Sequence, residues 1–338
     1  MKILSCHSGH DSNICYLVDG EVLYWNKFER LSGHKRDVRA DEYMLMYPEA
    51  RDNIDLSTLD LVVWGSPRYT NDLPDYNKTY NIIWKDYFSN NKLILHDDHH
   101  LSHASHAFYG SGYDKAYVLV IDRNGSYSMT MMDGYGLRPS GVQTETLYLC
   151  EYPNKFEVIF ANFGWVGITG KYGIISERCD INDLDNGKTM GLSSYGRKDI
   201  NIEYEIINNN ISAVNEEMRD SLSNNAKFRD NFLINMTNKY PHEDMAGFAQ
   251  KESNREILDI IKKIDFDKCS NLCFTGGHAH NCLTNYNIRQ SLPESINFYV
   301  DPIPDDSNCS IGYAKYYWYK DTQSNTKFPL TNIYNAGV

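Results

Sequence analysis

The chain has 338 residues, of which 41% are hydrophobic and 23% charged, and a formal net charge of −12. Such a composition supports the packed core of one large domain or of two lobes, and the acid excess excludes a general duplex-DNA binder, whose affinity comes from Lys and Arg on phosphates. The eight cysteines contain no CxxC pair, and the longest apolar runs, such as "AYVLVI" from Ala116, are far too short to span a bilayer.

In chain order, "KILSCHS" from Lys2 predicts a strand, with no charged-then-apolar leader ahead of it. "NICYLVDGEVLYWNKF" predicts two alternating strands around Asp19-Gly20. "LDLVVWGSP" reads as a buried strand stopped by Gly65 and Pro67, and "KLILH" as a short strand. In "DDHHLSHASHAFYG", Asp97 and Asp98 suit the N-cap of a helix. "KAYVLVIDRNGSYSMTMMDGYG" predicts a strand to Asp122, a turn at Asn124-Gly125, a return from Ser126 to Met132 and a second turn near Asp133-Gly134. This echo of the first hairpin suggests two similar lobes.

From Asn154 to Lys263 the expectation is mostly helix, with Met245, Phe248, Ala249, Ile257, Ile260, Ile261 and Ile264 at helical spacing. "NLCFTGG" predicts a strand ending in two glycines. "HAHNCLTNYNIRQSL" predicts a helix, "INFYV" a strand and "DDSNCSIGYAKYYWYK" the last helix, before a polar tail from Asp321. Hairpins leading into helices make the class α/β. The expected division is 1–113, 114–322 with the last helix returning to the first lobe, and a tail over 323–338.

The histidines carry the first chemical signal. His96, His99, His100, His103 and His106 fall within eleven positions. On a helix, His99 and His103 lie one turn apart on one face, with His106 near the same stripe. Such a pair can hold one divalent ion, or the residues can simply be satisfied polar groups at a helix start; so many together favour the metal. The glutamate of HExxH is absent. A third ligand is needed, and Asp305 and Asp306 before the last helix are the carboxylate candidates, with plain N-capping as their competing role. Gly276-Gly277, between strand and helix, could hold phosphate on backbone N–H groups. The Asp122–Ser126 turn and "DNGKTMGLSSYG", with Lys188, offer two further loops; none matches GxxxxGK(S/T). Three such loops in two lobes resemble the nucleotide cleft of actin-like ATPases (a ribonuclease H-like fold).

Taken together, the segments resemble the O-carbamoyltransferases of the nodulation, cephamycin and tobramycin type, whose catalytic domain is related to the tRNA threonylcarbamoyl transferases. "SGHDSNICYLVDGEVLYWNKFERLSGHKRD" is similar to the family's opening signature. "HHLSHASHAFY" is similar to HHxxHAxxAFY, "GKTMGLSSYG" to GKxMGLxxYG, "FTGGHAHNCLTN" to GGxxxNxxxN and "DDSNCSIGYA" to DxGxxxGxA. The resemblance implies a two-lobed actin-like fold and transfer of a carbamoyl group from carbamoyladenylate, itself made from ATP and carbamoyl phosphate, to a hydroxyl. It implies a divalent metal on His99, His103 and Asp306, with Fe2+ favoured and Zn2+, Mn2+ or Mg2+ as alternatives. It places Asp122, Asn124, Gly125, Ser126, Lys188, Gly191, Gly276, Gly277 and Asn281 around the nucleotide, and His10 or Asp11 as the base near the acceptor.

The chain departs from the pattern at His278 and His280, at Ser194 and at Asn308. Relatives also carry a further C-terminal domain that makes the adenylate, so a separate adenylate-forming protein is an expected partner, or carbamoyl phosphate is used another way. The acceptor expected is a small hydroxylated molecule: a sugar, an antibiotic-like metabolite or a hydroxymethylpyrimidine nucleotide. Neither a membrane nor polymeric nucleic acid is an expected partner, the expected compartment is the cytoplasm, and the oligomeric state, a homodimer included, is left open. The competing functions are a threonylcarbamoyl-type tRNA modification enzyme and a non-catalytic actin-like nucleotide-binding protein.

Overall fold

The first hairpin turns where two residues accept left-handed backbone. Asp19 has φ 48° and Gly20 φ 93°, the two positive φ values of a tight two-residue turn that matches the twist of its strands. A computed structural model describes residues 1–35, 47–65, 92–132, 136–164, 166–182, 185–197 and 240–331, with 37, 45 and 202 singly. The hairpin joins β2 (Asn13–Val18) to β3 (Glu21–Lys27), and β1 (Lys2–His7) pairs antiparallel with β2. The short helices α1 (Phe28–Ser32) and α2 (Pro48–Arg51) follow. Next, β4 (Leu61–Gly65) and β5 (Lys92–His96) add in parallel, so that the first sheet runs β3-β2-β1-β4-β5. Pro67, the expected stop of β4, lies outside the described residues.

Helix α3 (His99–Ser111) leads to the second sheet. Its strands are β6 (Lys115–Ile121), β7 (Tyr127–Met132), β8 (Gly136–Glu151) and β9 (Lys155–Gly164), followed later by β10 (Asn271–Thr275) and β11 (Asn297–Val300). The order is β11-β10-β6-β8-β7, with β9 on β8. β6 is antiparallel to β8, as β8 is to β9, and parallel to β10, as β10 is to β11. This repeats the pattern of the first sheet, in which β1 is antiparallel to β2, β2 to β3, and β1 and β5 flank β4 in parallel. The fold is two-lobed, α/β and actin-like.

Two expectations fail here. β6 and β7 do not form a hairpin, because β8 takes the pairing of both. The turn between them is bonded to β8 rather than to itself: Asp122 N donates to Thr144 O at 3.1 Å, Gly125 N to Gln143 O at 2.6 Å and Gln143 N to Ser126 O at 2.9 Å. The expected helical stretch from Asn154 instead begins with β9. That strand exposes Val158, Ile159 and Phe163, so it lacks the clean in–out alternation by which a strand is recognised. The helices there are α4 (Ile168–Arg178), α5 (Asn186–Leu192) and α6 (His242–Ile261). Residues 203–239 of that stretch, and the second turn at 133–134, lie outside the described residues.

The last elements are α7 (Cys282–Ser291) and α8 (Cys309–Thr322). The central core joins Ile3, Leu17 and Val63 of the first sheet to Val118, Val120 and Cys273 of the second. Between them lie Ala104, Ala107 and Phe108 of α3 and Ile311, Ala314 and Trp318 of α8. The two helices are exchanged. α3 follows the first sheet but packs on β6, β8 and β10, whereas α8 follows the second but packs on β1, β2 and β4. They meet at Gly312, where an added Cβ would come within 2.0 Å of Ser102 O. No helix among the described residues is long and apolar enough to cross a membrane.

Gly312→Ala is therefore expected to destabilise the fold by about 1–3 kcal/mol or more, the usual cost of forcing atoms into a filled contact. Gly187→Ala, on an open face of α5 with nothing within 4 Å of the new Cβ, should gain up to about 1 kcal/mol from helix propensity. Denaturant unfolding of the two variants beside the parent reads both signs.

Candidate metal centre

The start of α3 is fixed before any ligand is considered. Asp98 caps it by accepting from Leu101 N at 3.0 Å. The amide of His99 donates to Ser126 Oγ at 2.9 Å, and that hydroxyl donates to Asp97 O, so the Asp122–Ser126 turn clamps the helix entry. One turn apart, His99 and His103 bring their Nε2 atoms to 3.1 Å. Both rings are fully buried.

Asp306 arrives from the start of α8. Of the two candidate carboxylates, Asp305 is the cap, accepting from Ser307 N at 3.1 Å and pairing with His280 at 3.3 Å. Asp306 turns inward: its Oδ1 lies 3.3 Å from His99 Nε2 and 3.6 Å from His103 Nε2. The first sheet holds this loop in place. Asn13 Nδ2 donates to Asp306 O at 2.8 Å, Ser310 N donates back to Asn13 Oδ1 at 3.1 Å, and Trp25 Nε1 donates to Ser307 O at 2.9 Å. From the second sheet, Asp301 Oδ2 accepts from Asn308 Nδ2 at 3.0 Å and Thr275 Oγ1 at 2.8 Å and bonds His106 Nδ1 at 2.9 Å.

Further groups close around Asp306. His7 Nε2 lies 3.5 Å and His10 Nε2 3.6 Å from its Oδ2, Asp122 Oδ2 lies 3.4 Å from His99 Nε2, and Cys309 Sγ lies 3.9 Å from His103 Nε2. His99, His103, Asp306 and Cys309 each offer a ligand atom within 4.8 Å of the others, all buried. His7 Nε2 is buried with no hydrogen-bond partner among the described residues. Converging nitrogen, oxygen and sulfur donors fit a divalent transition metal.

The electrostatics fit a cation as well. Burial opposes charge on every group here, yet the charges sustain one another. Despite burial, the Cys309 thiolate and the bond to Asp306 push His103 up to about 10, and Asp306 with Cys309 raises His99 well above the usual imidazole range. Against its own burial, Cys309 is drawn down to about 5 by His103, His7 and His99. Asp306 is held well below the carboxylate range by His10 and His99. His10 rises to about 9, chiefly because the Asp306 carboxylate faces it and then through its bond to Asp11. A cation sharing Asp306 removes the first of these causes.

Three of the five clustered histidines stand apart from this group. His96 bonds with Tyr317 OH at 3.2 Å, His100 with Thr146 Oγ1 at 2.8 Å, and His106, expected on the ligand stripe, with Asp301. Burial holds His96 at about 4.

The structure connects the cluster to the glycine turn through Asp122, whose Oδ1 accepts from Gly277 N at 3.1 Å. Gly276 has φ 87°, and a Cβ there would sit 2.4 Å from Ile121 O, so only glycine fits. Gly125 packs on the His100 ring, and Asn124 is exposed. Asn281 caps α7 and donates to Gln250 Oε1 at 2.9 Å. Lys188 is exposed and pairs with Asp185 at 2.8 Å, and Gly191 is open. No hydrogen bond or ion pair among the described residues joins Lys188, Gly191 or Asn281 to the histidine cluster.

His10 stands in the turn between β1 and β2, its Nδ1 bonding Asp11 Oδ2 at 3.0 Å while Lys27 donates to Asp11 Oδ1 at 2.8 Å. The sequence reading missed Cys309 and His7. An i, i+3 relation to Asp306 at a helix start could have pointed to Cys309; His7, one residue of a buried strand, carried no signal.

Comparison with known proteins bears on the family and the fold. The family model described as carbamoyltransferase N-terminus matches residues 68–315, most of the chain, and the chain belongs to that family. The nodulation protein NolNO of Sinorhizobium fredii is 25% identical over 228 residues, covering 64% of this chain and 30% of that protein. The nodulation protein NolO of Bradyrhizobium diazoefficiens is 26% identical over 225 residues, covering 64% and 37%. The chain thus spans about a third of the length of these relatives. A crystal structure of T. kodakarensis HypF, 13% identical, superposes with a TM-score of 0.55 over 95% of this chain and 48% of that one, a likeness of fold.

The purified chain is expected to bind about one divalent ion, measured by elemental analysis after gel filtration. Because the ion must displace protons from the two imidazoles, its affinity should weaken as pH falls. His103→Ala and Asp306→Ala should each cost more than about tenfold in affinity.

Proposed function

We propose that the chain is the catalytic part of an O-carbamoyltransferase, moving a carbamoyl group from carbamoyladenylate, or from carbamoyl phosphate, to a hydroxyl of a small acceptor. The observation that carries this reading is Asp122. One of its oxygens faces His99 at 3.4 Å and the other takes the amide of Gly277 at 3.1 Å, so a donor with its phosphate on the glycine turn has its reactive end beside His99, His103 and Asp306. A divalent ion held by those three residues supplies Lewis-acid stabilisation of negative charge developing on the donor's oxygen; Fe2+ is the favoured ion.

The remaining work falls to side chains of the chain itself. Gly276 and Gly277 let the nucleotide approach the backbone closely, and the Asp122–Ser126 turn forms the facing wall. His10 is exposed beside the buried Asp306, so it meets an acceptor entering from solvent. Asp11, fixed by Lys27, bonds His10 Nδ1 and leaves Nε2 directed to the reaction. The acceptor oxygen bonds to the carbamoyl carbon, its proton passes to His10 Nε2, and the bond from that carbon to the phosphate oxygen breaks, releasing AMP. The acceptors proposed are a sugar, an antibiotic-like metabolite or a hydroxymethylpyrimidine nucleotide, since a net charge of −12 weighs against an RNA surface.

The test supplies synthetic carbamoyladenylate and a panel of those acceptors to the metal-loaded chain, with mass spectrometry of the products. The expected result is a gain of one carbamoyl group on one acceptor class, lost with Asp306→Ala and slowed about 10²–10⁴-fold by His10→Ala. Nucleotide binding without carbamoylation of any acceptor would favour the non-catalytic actin-like reading.

A further inference from the structure

We propose that Cys309 is itself a ligand, a thiolate in a four-donor set with His99, His103 and Asp306 that the carbamoyl donor's oxygen can join as a fifth. This rests on the reading of the cluster as a metal centre and adds to it a residue outside the His–His–Asp motif.

Four of the six donor separations approach a tetrahedron's edges, and all lie within 4.8 Å. Donors bound at about 2.0–2.3 Å in tetrahedral array lie roughly 3.3–3.6 Å from one another. The observed separations are 3.1 Å between the two imidazole nitrogens, 3.3 and 3.6 Å from these to Asp306, and 3.9 Å from His103 Nε2 to the sulfur. Asp306 and Cys309 are three residues apart at the start of α8, which puts both on the face turned to α3.

Packing alone does not account for the sulfur. A buried free cysteine ordinarily serves as a small apolar filler or donates to a carbonyl, as Cys179 does to His242 O and Cys269 to Lys115 O. Cys309 is fully buried, 3.9 Å from His103 Nε2 and 3.9 Å from His99 Nδ1, the second nitrogen of the ring whose Nε2 faces Asp306. Ligation joins the sulfur to the metal, and the protons shared among the thiol and the two imidazoles leave to solvent. One soft donor among two imidazoles and a carboxylate selects Fe2+, Co2+ or Zn2+ over Mg2+ and Mn2+.

The test strips the full chain with a chelator and reloads it with Co2+ alone or Zn2+ alone. The Co2+ protein should show near-ultraviolet thiolate-to-metal charge-transfer absorption, and zinc-edge absorption should find one sulfur at about 2.3 Å. Both signals should vanish in Cys309→Ala and Cys309→Ser, while one ion still binds more weakly through the other three residues. Excess Mg2+ should not displace the Co2+. Should either substitution prevent folding, the zinc-edge spectrum of the parent chain decides alone. One bound ion with only nitrogen and oxygen neighbours in the parent would overturn the thiolate and leave the three-residue centre standing. No bound ion in the parent, as in His103→Ala, would overturn both.

Discussion

The Asp306 carboxylate lies within 3.6 Å of ring nitrogens of His7, His10, His99 and His103, and the architecture around it exists to keep that contact buried. Taking a carboxylate and several imidazoles out of water is costly unless each charge is compensated. Here compensation comes from mutual pairing, and the structure holds the groups too close together for any of them to relax away. The same closeness makes the site fit a cation, which can replace several protons at once.

What enforces the closeness is the exchange of helices between lobes. Each sheet is covered by the helix that follows the other one, so the N-termini of α3 and α8 meet in the middle of the molecule. The tight crossing at Gly312 and Ser102 sets their distance. The loop bearing Asp306 is tied on one side to Asn13 and Trp25 of the first sheet and on the other to the Asp301 group of the second. A relative movement of the lobes would strain both sets of bonds. The candidate ligands thus sit at the mechanical junction, while the glycine turn and the His10 turn approach from opposite sheets.

Much of this was legible in the residues. The Asp19-Gly20 turn, the strand ending in Gly276-Gly277 and the Asp98 cap are local features decided within a few residues by backbone sterics and capping. The His99–His103 pair follows from helical spacing alone. The edge strand β9 and the placement of β8 between β6 and β7 were not legible. An edge strand exposed on both faces has no periodic signal, and strand order depends on pairing between distant segments.

The amino-acid sequence determined most of the elements, the histidine pair and the family, because helical period, turn chemistry and motif order are properties of neighbouring residues. Capping chemistry alone names Asp305 and Asp306 together, and within the sequence only the family motif singles out Asp306. The choice was made by tertiary contacts: Lys27 and His280 hold Asp305 at the rim, whereas Asn13 anchors the backbone that turns Asp306 inward. Helical spacing also put His106 near the stripe of His99 and His103, and only the position of Asp301 draws it out of the cluster. The inclusion of Cys309 and His7 was decided wholly by the packing of α8 on the first sheet, a long-range contact that no local pattern encodes.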